Sequence, residues 1–237
     1  MAPSSASDAS STGSTLPSVP AATAHVPSRF YRASKRVIDL VAATITLCLV
    51  SPLLLIIALC ILLTSRGPVI VRQVRVGRHR KPFVMNKFRT MYRDVDDTIH
   101  REYVTAMLQG ETLAPAKEGG LYKLVEDPRV TSIGRFLRRS SLDELPQLFN
   151  VILGQMSLVG PRPMFPWEAD LLREDDEIRF AVLPGLTGLW QVSGRSKLSM
   201  PQALELDREY VRRRCLRLDV SILFKTVPAA LTTRGAG

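Results

Sequence analysis

Cysteine, histidine and aromatic residues are scarce in this sequence. Three cysteines and three histidines occur among 237 residues, and no histidine adjoins a cysteine pair. Cys48 and Cys60 lie in an apolar run and Cys215 stands in a basic stretch, so neither a disulfide framework nor a zinc cluster is indicated. Aromatic residues form only 6% of the chain and do not alternate with basic residues, which argues against a stacking platform for nucleic acid.

Acidic residues are also in deficit, whereas hydrophobic residues are plentiful. Lysine and arginine number 32 against 22 acids, which gives a net charge of +10. This balance favours anionic partners such as nucleic acid, phosphorylated metabolites or a membrane surface, and charge alone does not choose among them. With 46% hydrophobic residues, the chain is long enough for one main domain and too short for several.

Residues 1–28 lack the apolar content of a folded segment. They are nearly all serine, alanine, threonine and proline, with Asp8 as the single acid. We therefore predict a disordered tail, because such a segment cannot bury enough apolar surface to offset the entropy of ordering. The tail also lacks the basic start and the uninterrupted apolar core of a secretory signal.

Residues 29–66 contain the one long hydrophobic run, from 40 to 63. At about 1.5 Å per residue the run can cross a bilayer core of about 30 Å. Pro52, preceded by Ser51, removes a backbone donor and favours a kink. The flanking basic residues are Arg29, Arg32, Lys35 and Arg36 before the run, and Arg66, Arg72, Arg75 and Arg78 after it. The positive-inside rule then places both ends in the cytoplasm, so we favour a kinked hairpin over the alternative, a single-span anchor that tolerates the proline.

The remaining pattern predicts a mainly helical α+β fold with one small β-hairpin. Two β-rich runs, residues 69–76 and 83–90, flank a turn that contains Gly77 and Pro82. Helical spacing is present at residues 94–108, 133–139, 145–153, 166–177 and 200–213, and Ser199 can cap the last of these. The final stretch, "LRLDVSILFK", fits an interfacial helix and a core-facing helix equally well.

Two adjacent acids, Asp143 and Glu144, stand in the stretch "RRSSLDELPQLFN". One interpretation is a capping box formed by Ser141 and Glu144, with a helix that begins at Leu142. Pro146 would then lie inside the helix and delete a backbone hydrogen bond, so a start one to three residues later is easier. Such a start places both carboxylates near a helix N-terminus, where anions are favoured.

Arginines surround these acids in the sequence. Arg135, Arg138 and Arg139 share one helical face, which could be an ordinary solvated surface. Arg162 follows between two prolines in "GPRP", and rigid placement of arginine suits bidentate phosphate binding. Carboxylates, arginines and a membrane segment together indicate phosphoryl transfer at a membrane surface, with a metal ion that offsets the repulsion between acid and phosphate.

Long ordered motifs carry a family resemblance. They are "KRVIDL", Ser51-Pro52, "KFRTM", "DPRVTSIGRFLRRSSLDELPQLFNVILGQMSLVGPRP" and "LPGLTGLWQVSGR". With these motifs the chain, from about Lys35 to its end, resembles the bacterial monotopic phosphoglycosyl transferases. These are polyprenyl-phosphate sugar-1-phosphate transferases, which begin exopolysaccharide, capsule or glycan assembly. The single hydrophobic segment predicts a compact form, without the multi-span N-terminal half of larger members.

The resemblance implies roles for individual residues. Asp143 is implied as the nucleophile that attacks the β-phosphorus of a UDP-sugar and expels UMP, and polyprenyl (undecaprenyl) phosphate then accepts the sugar-phosphate. Glu144 is implied as the acid associated with Mg²⁺. The residues assigned to substrate binding are Lys87, Arg89, Arg138 and Arg162. The sequence departs from the family at Gln155, where an acid is expected, and at Arg217, where many relatives carry tryptophan.

The resemblance also implies an architecture and a location. A re-entrant membrane helix broken at Ser51 and Pro52 and membrane-surface amphipathic helices would surround one cytoplasmic catalytic domain, residues 67–237. That domain would contact membrane lipid at the cytoplasmic face of the bacterial plasma membrane and bind no nucleic acid. The identity of the sugar and the formation of a homo-oligomer stay open. Two other hypotheses are a membrane-tethered basic binding module and an inactive assembly scaffold, which would require that Asp143 be replaceable.

Overall fold

The computed structural model describes residues 28–92, 98–108, 129–194 and 198–231. The predicted disordered tail therefore lies outside the described residues, except for Ser28. The helices are α1 (Arg29–Thr64), α2 (Thr98–Leu108), α3 (Ser132–Ser140), α4 (Gln147–Ile152), α5 (Pro166–Ala169), α6 (Leu189–Ser193), α7 (Met200–Arg213) and α8 (Leu216–Leu231). The strands are β1 (Ile70–Val76), β2 (Pro82–Phe88), β3 (Ser157–Val159) and β4 (Gly185–Thr187). Short 3₁₀ segments occur at Arg78–Arg80, Leu142–Glu144 and Glu174–Ala181.

The predicted mainly helical fold with a small hairpin is confirmed. β1 and β2 pair antiparallel, with Val71 opposite Lys87 and Arg75 opposite Phe83. A second, parallel pair joins β3 to β4 in stretches where the sequence pattern predicts no strand. Each of these strands has only three residues, which is too short for an alternating apolar pattern to appear.

The predicted helix at residues 166–177 is wrong. α5 ends at Ala169, and a separate 3₁₀ segment begins at Glu174. Between them, Arg173 has an extended backbone and Leu172 packs against two hydrophobic clusters at once. Tertiary packing of Leu172 therefore overrides the helical spacing of this stretch.

Helix α7 has the bounds and the cap that the sequence predicted. Ser199 accepts a hydrogen bond from the Gln202 backbone nitrogen, and the Gln202 side chain accepts one from Ser199 in return. This capping box satisfies two backbone donors at the start of a helix whose buried side includes Asp207 and Tyr210.

Helix α1 is long enough and apolar enough to cross a membrane, and among the described residues it alone has this character. Within the most apolar 18-residue stretch of this helix, only 11% is buried. A core helix of a soluble protein would be mostly buried. Pro52 lies within the helix, and the Ser51 hydroxyl donates to the Cys48 carbonyl at 2.9 Å. That carbonyl is the acceptor that a residue with an N–H at position 52 would use, so Ser51 replaces the bond that proline removes.

Both ends of α1 are held by the rest of the chain. Near its start, Arg36 donates to the carbonyls of Val151 and Ile152 at 2.6 and 2.7 Å. At its end, Arg89 donates to the Ser65 carbonyl at 2.7 Å. Between these points one side of the helix contributes Ala43 to the main hydrophobic cluster and Ile57 and Ile61 to another. One side of α1 is therefore attached to the hydrophobic core, while most of its apolar surface is exposed.

Helix α8 is anchored through a buried carboxylate. Asp219 accepts hydrogen bonds from the hydroxyls of Tyr31 and Tyr210 at 2.9 and 2.7 Å, and Lys35 forms an ion pair with it at 3.1 Å. The opposite side of α8 exposes Phe224 and Val220. The helix thus has a core-facing side and an exposed apolar side. The core-facing interpretation of the sequence describes the first side, and the interfacial interpretation describes the second. Arg217, at the departure from the family pattern, is exposed.

Candidate active site

The two acids lie in a tight turn between α3 and α4. Ser141 ends α3 in the left-handed region, with φ 57° and ψ 17°, and its side chain does not cap the 3₁₀ segment that follows. Helix α4 begins only at Gln147, later than every start that the sequence suggested. The capping-box interpretation is therefore wrong. Pro146 stands immediately before α4, where its missing N–H deletes no helical hydrogen bond.

Asp143 is buried in this turn and lies close to the ammonium group of Lys87. Its residue is 9% exposed, and its charge raises the pKa of Lys87. Burial has the larger opposite effect and lowers the pKa of Lys87 to about 8. Three guanidinium groups also lower the pKa of Lys87, those of Arg75, Arg138 and Arg162. The structure therefore places Lys87 within electrostatic reach of one buried carboxylate, Asp143, and of three guanidinium groups.

Asn150 connects the helix after the acids to the strand that carries Lys87. Its side chain is fully buried; it accepts from the Asn86 backbone nitrogen at 3.0 Å and donates to the Val84 carbonyl at 2.7 Å. The same amide donates to the Gln155 side chain at 2.6 Å. Gln155, where the resemblance predicts an acid, thus serves as the acceptor for Asn150. These bonds fix α4 against β2 and hold Lys87 beside the turn.

Arg162 reaches the second acid from a loop held by the parallel strands. Its guanidinium forms an ion pair with Glu144 at 3.1 Å, and both side chains are partly exposed. Gly160, two residues earlier, donates to the Thr187 carbonyl at 2.9 Å, and Gly185 donates to the Pro161 carbonyl at 2.8 Å. A Cβ at Gly160 would lie 2.5 Å from the Leu183 carbonyl oxygen, so this close approach of two backbones requires glycine.

Arg75 belongs to this group, although the sequence suggested only a membrane-flanking charge. It is buried on β1, its guanidinium lies 3.3 Å from the centre of the Phe165 ring, and it donates to the Pro163 carbonyl at 3.3 Å. The buried carboxylate of Glu168 lies 3.9 Å from it. Strand alternation could have revealed this position, because Arg75 is on the same face of the hairpin as Lys87.

Arg89, which the resemblance assigned to substrate binding, is not among the groups around Lys87. Its side chain is buried and donates to the main-chain carbonyls of Pro68 and Ser65, both at 2.7 Å. These bonds fix the end of α1 and the chain that follows it. The geometry therefore indicates a structural role for Arg89, whereas Lys87, Arg138 and Arg162 are brought together with Asp143 and Glu144.

The adjacent carboxylates also fit a divalent cation. Within the described residues no group of three or more His, Cys, Asp or Glu side chains could form a protein-only metal site. Mg²⁺ commonly uses one or two carboxylates and completes its octahedral shell with substrate phosphates and water. Asp143 and Glu144, adjacent in the 3₁₀ segment, are the carboxylates of this turn that would serve as such ligands.

A family comparison agrees with this chemistry. The sequence model of the family described as bacterial sugar transferase matches residues 30–233, which is most of the chain. This chain is a bacterial sugar transferase. The matched region includes α1 except for Arg29, the turn with Asp143 and Glu144, the Arg162 loop and all of α8. The family resemblance of the motifs is therefore confirmed.

Curated relatives of this bacterial sugar transferase extend the comparison. The undecaprenyl-phosphate galactose phosphotransferase of Salmonella typhimurium is 40% identical over 90% of this chain and 43% of the relative. The UDP-glucose:undecaprenyl-phosphate glucose-1-phosphate transferase of Escherichia coli is 40% identical over 86% of this chain and 42% of the relative. The exopolysaccharide production protein ExoY of Rhizobium meliloti is 39% identical over 86% of this chain and 88% of the relative. The chain thus spans less than half the length of the first two and most of the third.

Proposed function

We propose that this chain transfers a sugar-1-phosphate from a UDP-sugar to polyprenyl (undecaprenyl) phosphate at the cytoplasmic face of the bacterial plasma membrane. The observation that carries the proposal is the buried Asp143 within electrostatic reach of Lys87, which is also close to three arginines, and the adjacent Glu144–Arg162 ion pair. Relatives named for the transfer of galactose phosphate or glucose phosphate to undecaprenyl phosphate support the substrate classes. The product would begin the assembly of an exopolysaccharide, a capsule or another glycan.

The first half-reaction is a displacement at phosphorus. A carboxylate oxygen of Asp143 attacks the β-phosphorus of the UDP-sugar and forms a new P–O bond. The bond from that phosphorus to the bridging oxygen breaks, and UMP leaves with the electron pair. Sugar-phosphate is then attached to Asp143, and the cationic side chains of Lys87, Arg138 and Arg162 offset the charge that develops on the phosphoryl oxygens.

The second half-reaction returns the enzyme to its starting state. A phosphate oxygen of the lipid carrier attacks the same phosphorus, and the carboxylate of Asp143 leaves. The products are a polyprenyl-diphosphate sugar and free Asp143. This covalent relay allows a water-soluble donor and a lipid acceptor to approach the same carboxylate in turn.

Exposed apolar side chains support the location of this site at a membrane surface. Phe136 on α3 and Phe149 on α4 flank the reactive turn and are exposed, as is Leu153 after α4. The outer face of α1 and the exposed side of α8 are also apolar. Large exposed apolar patches of this kind mark surfaces that contact a membrane or another protein, and the character of α1 favours the membrane.

The re-entrant course of α1 is part of the proposal. A helix that crossed the bilayer upright would have its ends on opposite sides, about 30 Å apart. Contacts at both ends with one domain, through Arg36 and Arg89, therefore favour a helix that enters and leaves by the same face. Basic residues on both sides of the apolar run support the same topology.

Cysteine labelling tests this topology. After replacement of the three native cysteines, Arg32→Cys and Arg72→Cys introduce single thiols at exposed positions on either side of the run. We expect a membrane-impermeant maleimide to label both in inside-out vesicles and neither in intact cells whose outer membrane has been permeabilised. Labelling of the two positions from opposite sides would contradict the re-entrant course.

Glu144, with Asp143, would hold Mg²⁺, which would neutralise part of the diphosphate charge when bound. We expect turnover to be lost in excess chelator and restored by added magnesium. The measurement is the rate of UMP release before and after metal restoration. Full turnover in chelator would exclude the metal requirement.

Lys87 predicts an alkaline limit to activity. Burial lowers the pKa of its ammonium to about 8, so its positive charge is lost as the pH rises through that value. We expect the initial rate of UMP release to fall over the same range, because a neutral amine offsets phosphate charge poorly. Arginine stays charged at this pH, so Lys87→Arg should move the loss of rate to higher pH. A loss that remains near pH 8 in this variant would assign it to another group.

The proposed function is tested with purified protein in detergent. Polyprenyl phosphate, magnesium and a panel of UDP-sugars are supplied, and UMP release and lipid-linked sugar are measured together. We expect one UDP-sugar, or a small group of them, to give both products in equal amounts. Salt-sensitive binding of nucleic acid without transfer from any UDP-sugar would instead favour a basic binding module.

A further inference from the structure

A buried ion pair lies directly behind Arg162. Arg179, in the 3₁₀ segment Glu174–Ala181, donates from one terminal nitrogen to the main-chain carbonyl of Arg162 at 2.8 Å. The same nitrogen lies 2.8 Å from a carboxylate oxygen of Asp207 on α7, and both side chains are 3% exposed. The other terminal nitrogen of Arg179 contacts the Met164 sulfur. A continuous line of contacts therefore runs from Asp207 through Arg179 and Arg162 to Glu144.

We propose that Arg179 and Asp207 are positioning residues that set the place of the Arg162 guanidinium in the active site. This inference rests on the proposed function, because it gives Arg162 its task of holding the donor phosphates. Neither residue touches Asp143 or Glu144 in the contacts described, so their effect would act through the main chain of Arg162. Asp207 orients Arg179, and Arg179 fixes the Arg162 carbonyl.

The local backbone allows a hydrogen bond to the Arg162 carbonyl to determine the orientation of this residue. Pro161 and Pro163 flank Arg162, and each ring locks its own φ angle. The proline that follows also restricts the backbone of Arg162 itself to extended conformations. With these dihedrals restricted, the orientation of the Arg162 peptide decides where its side chain points. A displacement of about 1 Å at a catalytic group can cost about a hundredfold in rate, so a fixed carbonyl matters to the reaction.

The pair is poorly suited to be only a structural brace. Burial raises the pKa of Asp207 to about 6, and its second carboxylate oxygen is buried with no hydrogen-bond partner among the described residues. Buried ion pairs of this kind often contribute no more stability than apolar side chains of similar volume. A contribution to stability therefore does not account for Arg179 and Asp207. The hydrogen bond from Arg179 to the Arg162 carbonyl gives the pair a role in positioning Arg162.

A neighbouring ion pair provides a matched control. Arg208 on α7 pairs with Asp176 of the same 3₁₀ segment at 2.6 Å, so it joins the same two elements. Asp176 is buried to the same degree as Asp207, and Arg208 is mostly buried. None of the contacts described for this pair reaches Arg162. Its loss should therefore weaken the attachment of the 3₁₀ segment to α7 without releasing the Arg162 carbonyl.

The test compares two double variants in full-length protein. Arg179→Met with Asp207→Leu replaces the positioning pair, and Arg208→Met with Asp176→Leu replaces the control pair. The measurements are the Tm and the single-turnover rate of UMP release at saturating UDP-sugar. We expect the first variant to keep a Tm near that of the wild type and to lose about tenfold or more in rate. The control variant should keep the wild-type rate.

Arg179→Lys is a third, more conservative variant. It also replaces the first double variant in the test if that variant does not fold. Its ammonium can donate to both oxygens but has a shorter reach, so we expect a rate between those of the wild type and the double variant, with an unchanged Tm. A wild-type rate in the variants that lack Arg179 would overturn the inference, as would an equal loss in the control variant. If the wild-type protein releases no UMP, the proposed function and this inference are both overturned. If the wild-type protein is active, the proposed function stands and the variants test the inference alone.

Discussion

Asp143→Asn is expected to abolish transfer of sugar-phosphate. The substitution removes the charged nucleophile, and the loss of a nucleophile from a covalent mechanism lowers turnover by more than about 10³-fold. The measurement is the steady-state rate of lipid-linked sugar formation, with UMP release measured in parallel. Both should fall together, because the two half-reactions use the same carboxylate.

The control for this variant is its fold. Asparagine has nearly the volume of aspartate, so the substitution makes no steric change in the short 3₁₀ segment that holds Asp143. The Tm should therefore stay near that of the wild type. Intact mass must exclude deamidation, which would regenerate the aspartate. An intact variant that forms lipid-linked sugar at the wild-type rate would show that Asp143 is not the nucleophile and that transfer follows another mechanism.

Arg162→Ala is expected to have the second largest effect. Arg162 pairs with Glu144 and adds to the positive charge around Lys87, so its removal lowers the positive charge available to the donor phosphates. Loss of one preorganised charged donor typically costs about 10²–10³-fold in the rate of the chemical step. Arg162→Lys should recover only part of this rate, because an ammonium cannot make the bidentate contact of a guanidinium. The measurement is single-turnover UMP release.

Arg139→Ala is the matched control for the loss of one positive charge. Arg139 lies on α3 next to Arg138, but it is exposed and is not among the groups that shift the pKa of Lys87. We expect its replacement to leave the rate within about twofold of the wild type, because an exposed charge is screened by salt. Equal losses in Arg139→Ala and Arg162→Ala would mean that overall charge, and not the Arg162 contact, controls the reaction.

The regular elements could be predicted from the sequence because their signals are local. Helix α7 has apolar spacing over its whole length together with Ser199 and Gln202 at its start, and its observed bounds match the prediction. The β-hairpin follows from two β-rich runs around a turn. The apolar run of α1 and its Ser51-Pro52 pair are equally visible in the sequence.

Other features depend on contacts between distant residues and have no local signal. The three-residue strands β3 and β4 exist because Gly160 and Gly185 allow two loops to meet. The break between α5 and the following 3₁₀ segment reflects the packing of Leu172. The sequence pattern cannot reveal these features, since both require knowledge of which distant segments touch.

In the candidate site, too, some residues could be predicted from local sequence and others could not. Asp143, Glu144, Arg138 and Arg162 were accessible from motifs, and strand alternation could have revealed Arg75, whereas Arg179 acquires its place only when the loops fold together. Arg89 lies two residues beyond Lys87 in the same motif, yet its hydrogen bonds fix the end of α1. Neighbouring positions in a motif can therefore serve chemistry and architecture separately.

Whether transfer proceeds through Asp143 is decided by the mass of the protein itself. The wild type is incubated with its UDP-sugar and magnesium before any polyprenyl phosphate is present, and intact-protein mass spectrometry is performed while released UMP is counted. Double displacement predicts a mass increase of one sugar-phosphate, located on Asp143, and about one equivalent of UMP per active site. An unchanged mass, with UMP released only after the lipid is added, would contradict the covalent relay and indicate direct attack by the lipid phosphate.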